Sequence, residues 1–167
     1  TQAKTLFPYT TLFRSVGFMY DSGAGVEKDF AEAAKWYEKS ADLGNTSALY
    51  NLGLLYKFGD GVPKDESKAF QYFQKAADQG HAKSQLEVGY FYDTGKGGQT
   101  ADLQKVALWY QKSADQGNPN AQFNIGDMYL YGDGVTKNID QAVSWIRKSA
   151  EQGFGKAQYK LGVRSEE

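Results

Sequence analysis

The chain of 167 residues contains no cysteine, one histidine, three prolines and two methionines. Without cysteine there is no disulfide scaffold, no thiolate metal site and no cysteine nucleophile. The same absence is silent about compartment, because a thiol-free chain folds in any redox environment. With His81 alone, a histidine-built metal site is excluded too. Charge of one sign is also missing: 19 Lys and Arg face 20 Asp and Glu, a formal net charge of −1. That balance gives no electrostatic footprint for nucleic acid or for an anionic membrane surface. No apolar run approaches the roughly 18 residues that a bilayer span needs. What is left, 41% hydrophobic and 23% charged residues, describes a soluble chain able to build a core, of a length usual for one domain.

Glycine and aromatics are abundant instead, with 19 glycines and 15% Phe, Trp and Tyr. The glycine excess is a repeat. "LGLLYKFGDGVPKD" from Leu52 returns as "VGYFYDTGKGGQTAD" from Val88 and "IGDMYLYGDGVTKN" from Ile125, with "VGFMYDSGAGVEKD" from Val16 and a last fragment from Leu161. The leading glycines, Gly17, Gly53, Gly89, Gly126 and Gly162, are 36 or 37 residues apart. Each of the first four is followed by a Gly-x-Gly loop, and later by Gly44, Gly80, Gly117 or Gly153. The one extra residue of the third copy falls between Gly97 and Trp109.

Within a copy the period is helical. Ala48, Leu52, Leu55 and Tyr56 share one face of a first helix. The Gly-x-Gly loop stops that helix, since glycine takes the positive φ of a helix end without steric cost. Asp29, Asp65, Asp102 and Asn138 open a second helix as N-caps, and Glu32 stands three residues after Asp29 as in a capping box. The second helices carry apolar stripes such as Ala33, Trp36, Tyr37 and Ala41, or Val106, Trp109, Tyr110 and Ala114, whose small residues allow close helix approach. A hairpin with one bare apolar face must stack on its neighbours. The expected fold is all-α, an α/α superhelical solenoid of helix-loop-helix repeats of about 36 residues.

The pattern Leu-Gly-x-x-Tyr-x-x-Gly-x-Gly-Val-x-x-Asp followed by Lys-Ala-x-x-Trp-Tyr-x-Lys-Ala-Ala-x-Gln-Gly resembles the Sel-1-like repeat (SLR), a relative of the tetratricopeptide repeat. The resemblance runs from Val16 to Gly162, with Gly98, Val106 and Ile146 as mild departures that leave the third copy's loop softer. It implies copies over about 16–45, 46–81, 82–118 and 119–154, with a partial copy over 155–167. Residues 5–15, "TLFPYTTLFRS", stand outside the pattern: Leu12 and Arg14 occupy positions that are small and apolar in the other copies. The string is also the translation of a common sequencing adapter. Residues 1–15 are therefore read as a non-native lead-in, with most of the first helix of copy one missing. Ser165 stands where the repeat calls for tyrosine, and both ends read as cut from a longer protein.

Four Gly-x-Gly loops invite a phosphate-binding reading, but no strand precedes them and no Lys-Ser/Thr follows, so they read as turns. The aromatic pairs read as core rather than stacking platforms, and His81 as a junction residue matching Asn45, Asn118 and Phe154. Asn45-Thr46-Ser47 is a formal glycosylation sequon. Asp60, Asp93, Asp127 and Asp133 are scattered, and no nucleophile–base–orienter set can be assembled. A cysteine-rich branch of the resembled family is associated with β-lactam hydrolysis; this chain lacks those cysteines, and neither an enzyme nor a cofactor is expected. One stripe, two before, one after and five after the leading glycine, lies opposite the core stripe: Asn51, Leu54, Phe58; Glu87, Tyr90, Thr94; Asn124, Asp127, Tyr131; and Phe18. In relatives of this architecture first helices line the concave face. The expectation is a non-catalytic protein-interaction scaffold that binds a peptide or partner helix there. The competing packing has Leu54, Phe58 and Tyr90 tucked under loops as secondary core. The alternative role is an architectural or targeting segment of a larger enzyme or ubiquitin-ligase-type complex.

Overall fold

The structure, a computed structural model, describes the backbone of residues 3–162 and the side chains from Tyr9 onward; Ser165 lies outside the described residues. Among the described residues there are nine α-helices and no strand. The order is α1 (Ala3–Ser22), α2 (Phe30–Asp42), α3 (Thr46–Phe58), α4 (Glu66–Asp78), α5 (Ala82–Thr94), α6 (Leu103–Asp115), α7 (Pro119–Tyr131), α8 (Ile139–Glu151) and α9 (Gly155–Leu161). The chain divides into two compact units, residues 1–81 and 82–167. In the first, α1 packs on α2, α2 on α3 and α3 on α4; in the second, α5 packs on α6, and each later helix on the one before it.

The boundaries follow the chemistry of the termini. Asp29, Asp65, Asp102 and Asn138 are extended N-cap residues whose side-chain oxygens accept backbone N–H groups of the first helical turn. At Asp29 only half of a capping box forms. Asp29 accepts from Ala31 and Glu32, but its own N–H donates to Tyr20 O at 2.9 Å, and the Glu32 carboxylate turns to Lys35. Asn45 and Asn118 cap α3 and α7 in the same way.

Glycine has two separate uses. Gly117, with φ +89°, closes the turn between α6 and α7 in open space, so positive φ alone selects it. Gly53 is in a regular helix, and a Cβ there would lie 2.5 Å from the Phe73 ring. The leading glycine is a socket for the large side chain of the second helix, and the same holds for Gly17 under Tyr37, Gly89 under Tyr110 and Gly126 under Ile146.

Those large residues are the core. Tyr37, Phe73, Leu52, Ile125 and Val88 are fully buried. Their partners in the aromatic pairs lie further out: Trp36, Tyr72 and Trp145 are half-buried, and Lys39, Lys112 and Lys148 each lay an ammonium over a tryptophan at 4.1–4.2 Å. Buried polar groups are partnered across helices. Ser113 and Ser149 donate to Ala82 O and Pro119 O, and Gln116 and Gln152 donate to Gln85 and Gln122.

The expectation of a largely missing first helix differs from what the structure shows. α1 runs back through residues 5–15, and Ser40 donates to Thr10 O at 2.6 Å just as Ser113 does to Ala82 O. Phe13 lies 5.6 Å from Trp36, ring to ring. The segment contains one proline and no glycine, so nothing after Pro8 breaks a helix, and α2 offers it an apolar face. The misfit is local. Arg14, where later copies have Tyr50, Leu86 and Phe123, holds the one buried side-chain polar atom among the described residues that has no hydrogen-bond partner, Nε.

Candidate interaction face on the first helices

In the first unit, α1 and α3 present Phe18, Asn51, Leu54 and Phe58. Phe18 and Phe58 are 56% and 62% exposed, while Leu54 and Asn51 are half-buried. Phe58 therefore does not tuck under a loop; Lys57 lays its ammonium 5.6 Å from that ring. In the second unit, α5 and α7 present Glu87, Tyr90, Asn124, Asp127 and Tyr131. Tyr131 is 63% exposed and Tyr90 37%, and the other three are half-buried. Ser22 and Thr94, at matching positions, turn their hydroxyls back onto Phe18 O and Tyr90 O.

Sequence reading misses what holds the asparagines. The Tyr37 hydroxyl donates to Asp21 Oδ2 at 3.0 Å and accepts from the Asn51 side-chain amide. Burial, and then the Asp21 carboxylate, push the Tyr37 phenol well above its ordinary value of 10.0. Tyr110 repeats part of the arrangement: burial raises its phenol, the Asp93 carboxylate adds to the rise by its charge without a hydrogen bond, and the Asn124 amide donates to it. In the first unit a tyrosine rooted in the core thus fixes a carboxylate and an amide on the first-helix face; in the second Tyr110 engages the amide, with Asp93 nearby. The sequence signals it only by residues that return every second copy, such as Tyr37 and Tyr110 with Phe73 between them.

Lys160 is the other residue missed. Two before Gly162, it is the fifth copy's member of the stripe. Its ammonium donates to Asp127 Oδ1 at 2.5 Å and lies 5.2 Å from the Tyr131 ring and 5.3 Å from Phe123. Burial pulls its pKa down, but the bond and attraction to Asp127 outweigh this and leave it raised. A shallow cleft of about 460 Å³ opens beside it, lined by Phe123, Gly155, Lys156, Tyr159 and Lys160.

The remaining singled-out residues do not converge. His81 packs against the Tyr50 ring at 5.2 Å with the two planes tilted by 46°, Asn45 uses Oδ1 to cap α3, and the Gly-x-Gly loops are αL turns. Among the described residues no three His, Asp or Glu side chains gather as a metal site needs. No helix of these residues is long and apolar enough to cross a membrane.

Among the described residues, four hairpins each socketed at a leading glycine, followed by α9, define an α/α repeat protein. The repeat family is Sel1: the chain matches the Sel1 repeat over residues 15–45, 46–81, 82–118 and 119–154, and it belongs to that family. It is similar to the crystal structure of a Sel1 repeat protein from Oxalobacter formigenes, with 40% identity and a TM-score of 0.85 over 92% of this chain and 62% of that one. It is also similar to c5321, a protective antigen of uropathogenic Escherichia coli strains with an SLR fold, at 36% identity and a TM-score of 0.83, over 89% of this chain and 32% of that one. Cysteine-rich protein B of Helicobacter pylori superposes with a TM-score of 0.61 at 27% identity, over 81% of this chain and 96% of that one. The chain thus spans less than two thirds of the first two structures. No curated protein matches it. Sel1-repeat proteins are in general non-catalytic scaffolds for protein–protein interaction.

Proposed function

We propose that this chain is a non-catalytic adaptor that docks an extended peptide or partner helix on the exposed face of its first helices. Phe18, Leu54, Phe58, Tyr90 and Tyr131 serve as apolar anchors, with Asn51, Asn124, Glu87 and Asp127 as polar partners. The observation that carries this reading is the exposure of large rings opposite the core stripe in each unit, Phe18 and Phe58 in the first and Tyr131 in the second. The asparagines support it differently from the sequence expectation. Their amide nitrogens are committed to Tyr37 and Tyr110, so each offers a pre-oriented carbonyl oxygen to a peptide N–H. Because the chain spans only 32% of the length of c5321, a second reading is that the face is one stretch of a longer scaffold, or the targeting arm of a larger complex.

Selection from a random peptide display library tests the reading, comparing the unsubstituted chain with a Leu54→Asp, Tyr90→Asp variant of unchanged helical circular dichroism. Selected peptides should bind the variant at least about tenfold more weakly. Equal binding by both would remove the face from consideration.

A further inference from the structure

The first-helix face does not repeat with the period of the fold. A shift of one copy turns Phe18 into Leu54, Asp21 into Lys57, Tyr37 into Phe73, Asn51 into Glu87 and Phe58 into Thr94. Asp21 and Asn51 change charge, Phe58 becomes polar, Tyr37 loses its hydroxyl and Phe18 its ring. A shift of two copies, 72 or 73 residues, brings back Tyr90, Asp93, Tyr110, Asn124 and Tyr131, and each regains its kind. The two compact units, 1–81 and 82–167, each contain one full set. In the first, the buried Tyr37 hydroxyl donates to Asp21 and meets the Asn51 amide. In the second, the buried Tyr110 meets the Asn124 amide with the Asp93 carboxylate nearby, and in both, exposed rings stand on the two first helices. Phe18 and Asp21, like Tyr90 and Asp93, are three residues apart on one helix, which puts ring and carboxylate side by side.

An aromatic ring next to a fixed carboxylate is complementary to a cation on an apolar stem. The chain itself already fills such a place: Lys160 reaches Asp127 with its ammonium against the Tyr131 ring. Resting on the docking face proposed above, we infer that each unit holds an equivalent subsite for one lysine or arginine flanked by apolar residues in an extended peptide. The cation meets Asp21 in one unit and Asp93 in the other, so one chain takes two such peptides.

Titration of the isotope-labelled protein with acetyl-Leu-Arg-Leu-amide, followed by amide NMR shifts, tests this. Shifts around Phe18 and Asn51 and around Tyr90 and Asn124 should both saturate, at two peptides per chain, with dissociation constants within about threefold of each other. Asp21→Asn should abolish the first group and spare the second, and Asp93→Asn the reverse. Asparagine still accepts the Tyr37 hydroxyl, so each variant should keep its helical spectrum. Saturation at one peptide, equal shifts with acetyl-Leu-Glu-Leu-amide, shifts indifferent to both variants, or no shift up to about 10 mM would each overturn the inference. The display selection separates the two readings. Peptides that depend on Leu54 and Tyr90 but carry no basic residue would leave the docking face standing and remove the paired subsites.

Discussion

Tyr37 and Tyr110 show how much one hydroxyl can set. Each ring fills the socket over a leading glycine and its oxygen meets an amide at the surface, and the Tyr37 hydroxyl also holds the Asp21 carboxylate. Their folded-state pKa values are raised, so folding holds the proton more tightly than the unfolded chain does. Their contribution to stability is then complete below pH 10, the unfolded value, and falls as pH rises above it, by up to about 1.4 kcal/mol per pH unit for each tyrosine. Thermal melting followed from pH 9 to 11 should show the fall. A Tyr37→Phe, Tyr110→Phe protein should show a flatter profile and also lose affinity for docked peptides. The phase of the Trp36–Tyr37 pair places the tyrosine in the core from sequence alone. The hydroxyl's partners were not legible, because Asp21 and Asn51 come from two other helices whose register only packing fixes.

At the scale of the element, helices and caps were legible because they depend on local chemistry: an extended Asp or Asn accepts the orphan N–H groups wherever it precedes an apolar stripe. The leading glycine was legible as a marker but not as a socket. Gly53→Ala would press a Cβ to within 2.5 Å of Phe73, and overpacking of this kind should cost about 1–3 kcal/mol in chemical denaturation. Residues 5–15 show the opposite case. Read as foreign to the repeat, they form helix, because helix formation asks only for the absence of breakers and a face to lie on. We propose that the segment is non-native to the repeat, on the strength of Arg14, whose buried Nε has no hydrogen-bond partner. Arg14→Tyr, restoring the residue type of Tyr50, should raise stability by about 1–2 kcal/mol, read as a higher melting temperature. An unchanged or lower melting temperature would mean that the arginine fits its place.

Across the whole molecule two periods are superimposed. The shorter, 36 or 37 residues, is legible because glycine, caps and stripes all mark it. The longer, twice that, is hidden beneath those shared marks and emerges only when the partners of Tyr37 and Tyr110 are known. Excision of residues 46–118 joins Asn45 to Pro119, so that Asn124 and Tyr131 follow Phe18, Asp21 and Tyr37 in the order of the original set. That protein should remain helical and bind one basic peptide. Excision of 46–81 should fold as well, since stacked repeats add their stabilities nearly independently. It would place Glu87 and Thr94 after Tyr37, and the first subsite should be lost. A genome copying such a gene can slip by one repeat without penalty to the fold. Only slips by an even number keep the face, so lengthening by pairs is the path that inheritance leaves open.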